Sequence, residues 1–163
     1  MKEVLSRSKA GAVRYLSVFV LLAVLMAVPG HLFAALGGDA VSVQADQAHL
    51  QASLRSIPAE AYTVHELHAP TGVVVREYVS SGKVFGVAWE GPWPPDMHQL
   101  LGGYFDQYVQ AMQSAGGGRT GRRPIQIELP GLVVHLAGHP RSFTGQAYVP
   151  GMLPPGVAAG KIR

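Results

Sequence analysis

Six histidines after the N-terminal segment have side chains that could do chemistry: His49, His65, His68, His98, His135 and His139. Imidazole is the commonest protein ligand for transition metals, so their number raises the hypothesis of a metal site. His65 and His68 lie three residues apart in a predicted strand, which places them on opposite faces. His135 and His139 flank a predicted strand end at Gly138, and no H-E-x-x-H motif occurs. The spacing favours solvated or hydrogen-bonded histidines, and we expect neither a metal nor another cofactor.

Two carboxylates lie close to a histidine and an arginine in a predicted hairpin. Paired carboxylates can divide the roles of acid and base in catalysis. Opposite charges on facing strands stabilise a sheet, which favours the register with Glu66 opposite Arg76 and His65 opposite Glu77. Glu66 and Glu77 then lie on opposite faces of the sheet. This arrangement favours two separate cross-strand ion pairs over a catalytic pair of carboxylates. We predict no catalytic residue, and an enzyme that uses His65, Glu66 or Glu77 is one alternative.

A glycine-rich loop over 116–121 matches the letters of the G-x-G-x-x-G motif. A dinucleotide site needs the glycines between a strand and the helix that follows it. Here a predicted helix precedes the loop and a predicted strand follows it, so the match predicts no nucleotide site. Arg119, Arg122 and Arg123 in and after this loop are candidate contacts for an anion, with a solvated loop as the alternative. No G-x-S-x-G nucleophile motif occurs.

Four aromatic residues are candidates for a partner-binding surface: Trp93, Trp89, Tyr78 and Phe85. Tryptophan and tyrosine are enriched at the energetic centres of protein interfaces. Trp93 lies between two prolines in a connector, where a rigid aromatic side chain would be exposed. The alternative is that these aromatic residues belong to the core.

A fold of the α+β class must position these side chains. Apolar residues at helical spacing predict helices over 42–54 and 95–114. Shorter apolar or alternating runs predict strands over 62–68, 73–80, 83–90, 125–129, 132–137 and 143–149. We therefore predict two helices and one antiparallel sheet of about five to six strands, after a cleaved N-terminal signal helix.

A two-residue turn at Ser81 and Gly82 sets the register of the central hairpin. The turn would place Tyr78 opposite Phe85 and Val74 opposite Trp89. In this register both faces of the sheet are apolar. Such a sheet needs cover on both sides, or one face is left for a partner.

The N-terminus has the composition of a secretory signal peptide. Four basic residues precede an apolar run over 16–28, and small residues follow at Ala34 and Ala35. The run is shorter than the roughly 20 residues that a membrane-spanning helix needs. An uncleaved signal anchor is the alternative. We predict a signal peptide over 1–34 cleaved after Ala34 or Ala35, a single domain over 35–150 and a Pro/Gly-rich flexible tail over 151–163.

Composition excludes several classes of function. The sequence has no cysteine, so it has neither a disulfide framework, nor a cysteine-ligated metal, nor a thiol nucleophile. The formal charge of +3 arises from the signal segment, because the remaining chain has equal numbers of basic and acidic residues. Nucleic-acid partners favour a basic surface, so none is expected.

Three segments carry a family resemblance: LGGDAVSVQADQAHL (36–50), YTVHELHAPTGVVVREYVSSGKVFGVAWEGP (62–92) and PDMHQLLGGYFDQYV (95–109). They resemble an exported bacterial family catalogued as domain of unknown function 2844. The resemblance implies export and a single small domain, and it supplies no reaction, ligand or catalytic residue.

These observations predict an exported, non-catalytic binding or accessory module. Its expected partner is another envelope or secreted protein, and its expected location is the periplasm or the extracellular medium. The membrane is expected to contact only the signal segment before cleavage. A binder of a small molecule or lipid, with a cavity between sheet and helix, is the main alternative, and an enzyme of unknown class is the second.

Overall fold

The computed structural model describes residues 36–114 and 124–163, which form seven strands and three α-helices. The strands are β1 Ser53–Pro58, β2 Thr63–His68, β3 Val74–Ser80, β4 Lys83–Gly91, β5 Ile125–Leu129, β6 Leu132–His139 and β7 Ser142–Tyr148. The helices are α1 Ser42–Leu50, α2 Met97–Leu101 and α3 Phe105–Ser114. All seven strands form one antiparallel sheet in the order β1-β2-β3-β4-β7-β6-β5. The predicted α+β class is confirmed, with more strands than the five to six expected.

The sequence analysis did not predict the first strand, whose first two residues fall at the end of a predicted helix. The sequence predicts a helix over 42–54, but α1 ends at Leu50, and Gln51 follows in the left-handed conformation with a φ of 50°. The Gln51 and Ala52 N–H groups donate to the Ala48 and Gln47 carbonyls, which closes the end of the helix. The chain then reverses into β1.

The predicted second helix is also shorter and divided. It begins at Met97, and a 3₁₀ turn over Gly102–Tyr104 separates α2 from α3. The Asp96 side chain accepts hydrogen bonds from the His98 and Gln99 N–H groups and caps α2.

The register of the central strands agrees with the sequence at one hairpin and differs at the other. Glu66 pairs with Arg76 and His65 with Glu77, as predicted. In the next hairpin Tyr78 pairs with Gly86 rather than with Phe85, because Phe85 is the extra residue of a β-bulge. Beyond the bulge every side chain of β4 changes face relative to the prediction.

The bulge decides which residues of β4 face the helices. Trp89 pairs with Val75 rather than Val74, and it packs with Val87 in the main core on the helix side. Ala88 lies on the opposite face. Leu100 and Leu101 of α2 are buried against the main core, with exposed fractions of 2% and 0%.

Gly145 makes room for the indole of Trp89. A Cβ atom at this glycine would lie 2.3 Å from Cζ2 of Trp89, and Trp89 itself is buried in the core. A side chain at position 145 and the observed indole position are therefore mutually exclusive.

Replacing Gly145 with alanine is expected to lower the free energy of unfolding by about 1–3 kcal/mol, the usual cost of overpacking. The Gly151→Ala variant is a matched control, because a Cβ there would meet no atom within 4 Å. Urea denaturation of both variants measures the difference. Equal stability of the two variants would contradict this packing.

The second face of the sheet has its own apolar cluster, which the C-terminal segment covers. Tyr78, Phe85 and Ala88 pack against Ile162, whose exposed fraction is 1%. Tyr62 adds a ring centroid 5.9 Å from that of Tyr78. The sequence predicts a flexible tail over 151–163, whereas the structure packs this segment on the sheet. Apolar residues spaced between its prolines and glycines reach the cluster: Leu153, Val157 and Ile162.

Candidate functional site

An apolar cleft of about 260 Å³ lies on the helix side of the sheet, next to β5, β6 and β7. The connector after β4, both segments of the divided helix and the sheet contribute side chains to it. These include Trp89, Pro94, Met97, Tyr108, Met112 and Phe143. The cleft lies between sheet and helix, the location considered for a ligand cavity in the sequence analysis.

The local structure of the connector and α3 fixes the walls of the cleft. The cap at Asp96 fixes the start of α2 and therefore the position of Met97. Phe105 contacts the ring of His98 edge to face, with ring centroids 4.9 Å apart. The Phe105 and Tyr108 rings are 6.1 Å apart and continue this row.

The chemistry of the cleft suits an apolar group. Burial raises the pKa of Tyr108, which keeps its phenol neutral at physiological pH. Met97 and Met112 have flexible, polarizable side chains that adapt to guests of different shape. Trp93, next to Pro94 in the chain, is 59% exposed at the start of the same connector.

The other three aromatic candidates are buried. Trp89 is 3% exposed in the main core, where it forms part of the cleft lining. Tyr78 and Phe85 are 3% and 1% exposed under the C-terminal segment, away from the cleft. Trp93 is the candidate that the structure exposes. The anion candidates Arg119, Arg122 and Arg123 lie outside the described residues, as does the predicted signal peptide.

A buried pair of carboxyl groups lies in the main core. Asp46 of α1 is 0% exposed and Glu77 of β3 is 1% exposed. Within the described residues, no N–H or O–H donor reaches either oxygen of Glu77. Gln99 donates from Nε2 to Oδ1 of Asp46. Burial and the hydrogen bond to Asp46 raise the pKa of Glu77 to about 10, and burial raises the pKa of Asp46.

With its pKa raised to about 10, Glu77 keeps its proton at neutral pH, and the neighbouring carboxyl group of Asp46 is the acceptor to which it can donate. The sequence analysis noted Glu77 but missed Asp46 and Gln99. Asp46 lies three residues after Val43, which is also buried, and this helical spacing was the available indication of a buried aspartate. The pair lines neither the cleft nor the polar groove described below.

Of the two remaining catalytic candidates, His65 is hydrogen-bonded through Nδ1 to Ser56 Oγ at 2.9 Å, and Glu66 belongs to an ordinary ion-pair network. Arg76 donates from Nε to Glu66 at 2.9 Å and from Nη2 to Glu90 at 2.6 Å. His68 Nε2 lies 2.6 Å from the Glu66 carboxylate. The hydrogen bond from His68 and those from Arg76 lower the pKa of Glu66. Glu66 and Glu77 lie on opposite faces of the sheet, as the predicted register requires.

Two further properties of the described residues concern membranes and metal ions. In residues 36–114 and 124–163, no helix is long and apolar enough to cross a membrane. Within the same ranges, no group of three or more histidine, aspartate or glutamate side chains could hold a metal ion.

The fold and the cleft define a class of protein: a small α+β domain on one seven-stranded antiparallel sheet, with an apolar cleft on its helix side. The chain belongs to the family described as Protein of unknown function (DUF2844), whose model matches residues 32–162. This match confirms the resemblance and extends it over nearly the whole chain. No curated protein and no solved structure matches the chain.

Proposed function

We propose that this protein is an exported, non-catalytic binding module that holds an apolar side chain of a partner protein in its cleft. The observation that carries this proposal is the apolar cleft beside the exposed Trp93. An exposed tryptophan brings a large contact area at a low cost in conformational entropy. The partner is an envelope or secreted protein.

The size of the cleft favours a side chain over a free ligand. Sites for small molecules usually enclose about 300–1,000 Å³, and the cleft measures about 260 Å³. A lipid chain would need more room than this. The alternative of a small-molecule or lipid binder is therefore the weaker use of this cleft.

Export is part of the proposal and rests on the sequence. The basic and apolar pattern of residues 1–34 is that of a signal peptide. The family match begins at residue 32, close to the proposed cleavage sites after Ala34 and Ala35. This start is expected if residues 1–34 are a signal peptide, because a segment removed from the mature protein would precede the domain that the family shares.

Photo-crosslinking in the native cells tests this function. The full-length chain carries p-benzoylphenylalanine either in place of Trp93 or in place of Val41, an exposed apolar residue on another part of the surface. We expect a discrete protein adduct from position 93 and none from position 41. The mass of the recovered chain reports whether the signal peptide has been cleaved.

A second substitution ties the adduct to the cleft. Met112→Lys places a charge among the apolar lining residues and should reduce the adduct at least tenfold. The melting temperature of the purified variant verifies that it folds. The proposal is wrong if position 93 gives no adduct, or if the adduct persists undiminished in a folded Met112→Lys chain.

A further inference from the structure

The C-terminal segment covers only part of the second face of the sheet. The apolar cluster around Tyr78 lies under residues 150–163. The neighbouring row of paired residues crosses all seven strands and is mostly polar. In spatial order this row is Arg55, Glu66, Arg76, Ala88, Gln146, His135 and Gln126.

A groove of about 420 Å³ lies along this polar row, on the opposite side of the sheet from most of the apolar cleft lining. Its volume is within the range of small-molecule sites. Ala137 has a small side chain and lines the groove between larger residues. The polar lining residues are Arg76, Glu90, Gln126, His135, Thr144, Gln146 and Arg163.

The charges around the groove balance one another. Arg76 is engaged by Glu66 and Glu90, at 2.9 Å and 2.6 Å. Arg163 adds a second basic side chain to the lining. Arg76, Arg163, Glu66 and Glu90 together carry no net charge, and both carboxylates are engaged by Arg76. A charged ligand would therefore gain little net attraction and would compete with existing ion pairs.

Uncharged side chains supply the remaining hydrogen-bonding groups. The Gln146 amide nitrogen lies 3.1 Å from His135 Nδ1 and can only donate, so Nδ1 accepts and the neutral imidazole carries its proton on Nε2. His135 Nε2 is buried and has no hydrogen-bond partner within the described residues. Gln126 and Thr144 each provide both a donor and an acceptor.

We propose that this groove binds a neutral, hydroxyl-rich ligand of mono- to disaccharide size. Sugar hydroxyls donate and accept hydrogen bonds, which matches side chains that do both. The groove shares some lining residues with the apolar cleft, among them Trp89 and Leu136, but most of its polar groups are its own. The proposal does not rest on the proposed function.

Titration of the ¹⁵N-labelled protein with maltose and with N,N′-diacetylchitobiose tests the proposal, and glucuronate and inorganic phosphate serve as charged probes. At least one disaccharide should cause saturable amide shifts at Gln126, His135 and Gln146. Gln146→Leu and Gln126→Leu should each weaken that binding about tenfold, as expected for the loss of about 1.4 kcal/mol. Gln110→Leu, at an exposed position on α3, is the matched control and should bind normally.

Three results would overturn the proposal. The first is that neither disaccharide shifts these amides. The second is that glucuronate or phosphate binds here more tightly than both disaccharides, which would make the groove an anion site. The third is that the sugar binds equally well to the folded leucine variants, which would place it elsewhere. Gln126 is exposed, so its variant remains informative if Gln146→Leu fails to fold.

Discussion

Replacing Ile162 with alanine should lower the free energy of unfolding by about 2–5 kcal/mol, the usual range for an isoleucine lost from a core. The Ile162 side chain is 1% exposed and packs with Tyr78 and Phe85. Its fit is tight, because a Cβ atom at Gly86 would lie 2.8 Å from Ile162 Cδ1. The Tyr78 hydroxyl donates to the Arg163 carbonyl at 2.8 Å, which ties the same segment to β3.

Urea denaturation measures this effect, with Val41→Ala as the control. Val41 is 68% exposed, so its truncation should change the stability by less than about 0.5 kcal/mol. Limited proteolysis distinguishes local release from global unfolding, since release of residues 150–163 should speed cleavage within them before the sheet is cut. A stability loss as small as that of the control would contradict the packing of this segment.

The buried carboxyl pair should make the protein less stable as the pH rises from 7 to 9. The folded state raises the pKa of Glu77 to about 10 from an ordinary value of 4.5, so folding favours its protonated form. The resulting stabilisation is complete below pH 4.5 and is lost as the pH rises toward 10. One such proton changes the free energy of unfolding by at most about 1.4 kcal/mol per pH unit.

The other groups with a shifted pKa change the free energy of unfolding mainly outside the range from pH 7 to 9, or in the same direction as Glu77. Burial raises the pKa of Asp46, which adds to the effect of Glu77. Burial lowers the pKa of His65 from 6.5, so its contribution has the opposite sign and is nearly complete by pH 7. Glu66, with its lowered pKa, contributes only below pH 4.5. The window from pH 7 to 9 therefore isolates the buried pair.

Glu77→Gln should remove most of this pH dependence while it preserves the volume of the side chain. Glu66→Gln is the matched control, because Glu66 lies on the opposite face of the sheet from Glu77. It should leave the pH dependence of stability between pH 7 and 9 unchanged. Urea denaturation at several pH values gives the slopes. The proposal that Glu77 is protonated in the folded protein is wrong if Glu77→Gln keeps the wild-type pH dependence of the free energy of unfolding. It is also wrong if wild-type stability is constant from pH 7 to 9.

Charge pairing let the sequence predict one part of the sheet well. Glu66 and Arg76 could face each other only in one register, and the structure has that register. The bulge at Phe85 was not predictable in the same way, because an extra apolar residue in an apolar strand changes no charge pair. Tertiary packing fixes the face of each β4 residue instead. Trp89 packs against Gly145, and Val87 lies with it in the main core on the helix side.

The candidate site was predictable to a similar extent. Prolines on both sides of Trp93 indicated an exposed aromatic, and the structure exposes it. The buried pair required α1 and β3 to meet, and nothing local in the sequence joins Asp46 to Glu77. The prediction of a flexible C-terminal segment relied on its prolines and glycines, which make up five of the residues 151–163. It gave too little weight to Leu153, Val157 and Ile162, which pack against the sheet.

The position of Ile162 has a consequence for biogenesis. Its contacts with Phe85 and with Tyr78 join residues 77 and 84 positions apart in the chain. In the same way, β4 can pair with β7 only after the whole intervening segment has been made. A chain made from its N-terminus therefore leaves the aromatic cluster uncovered through most of its synthesis, and such non-local closure is slow. If the protein is exported as proposed, the sheet cannot be completed while the N-terminal segment first meets the translocation machinery. The chain would then still be unfolded enough to pass through it.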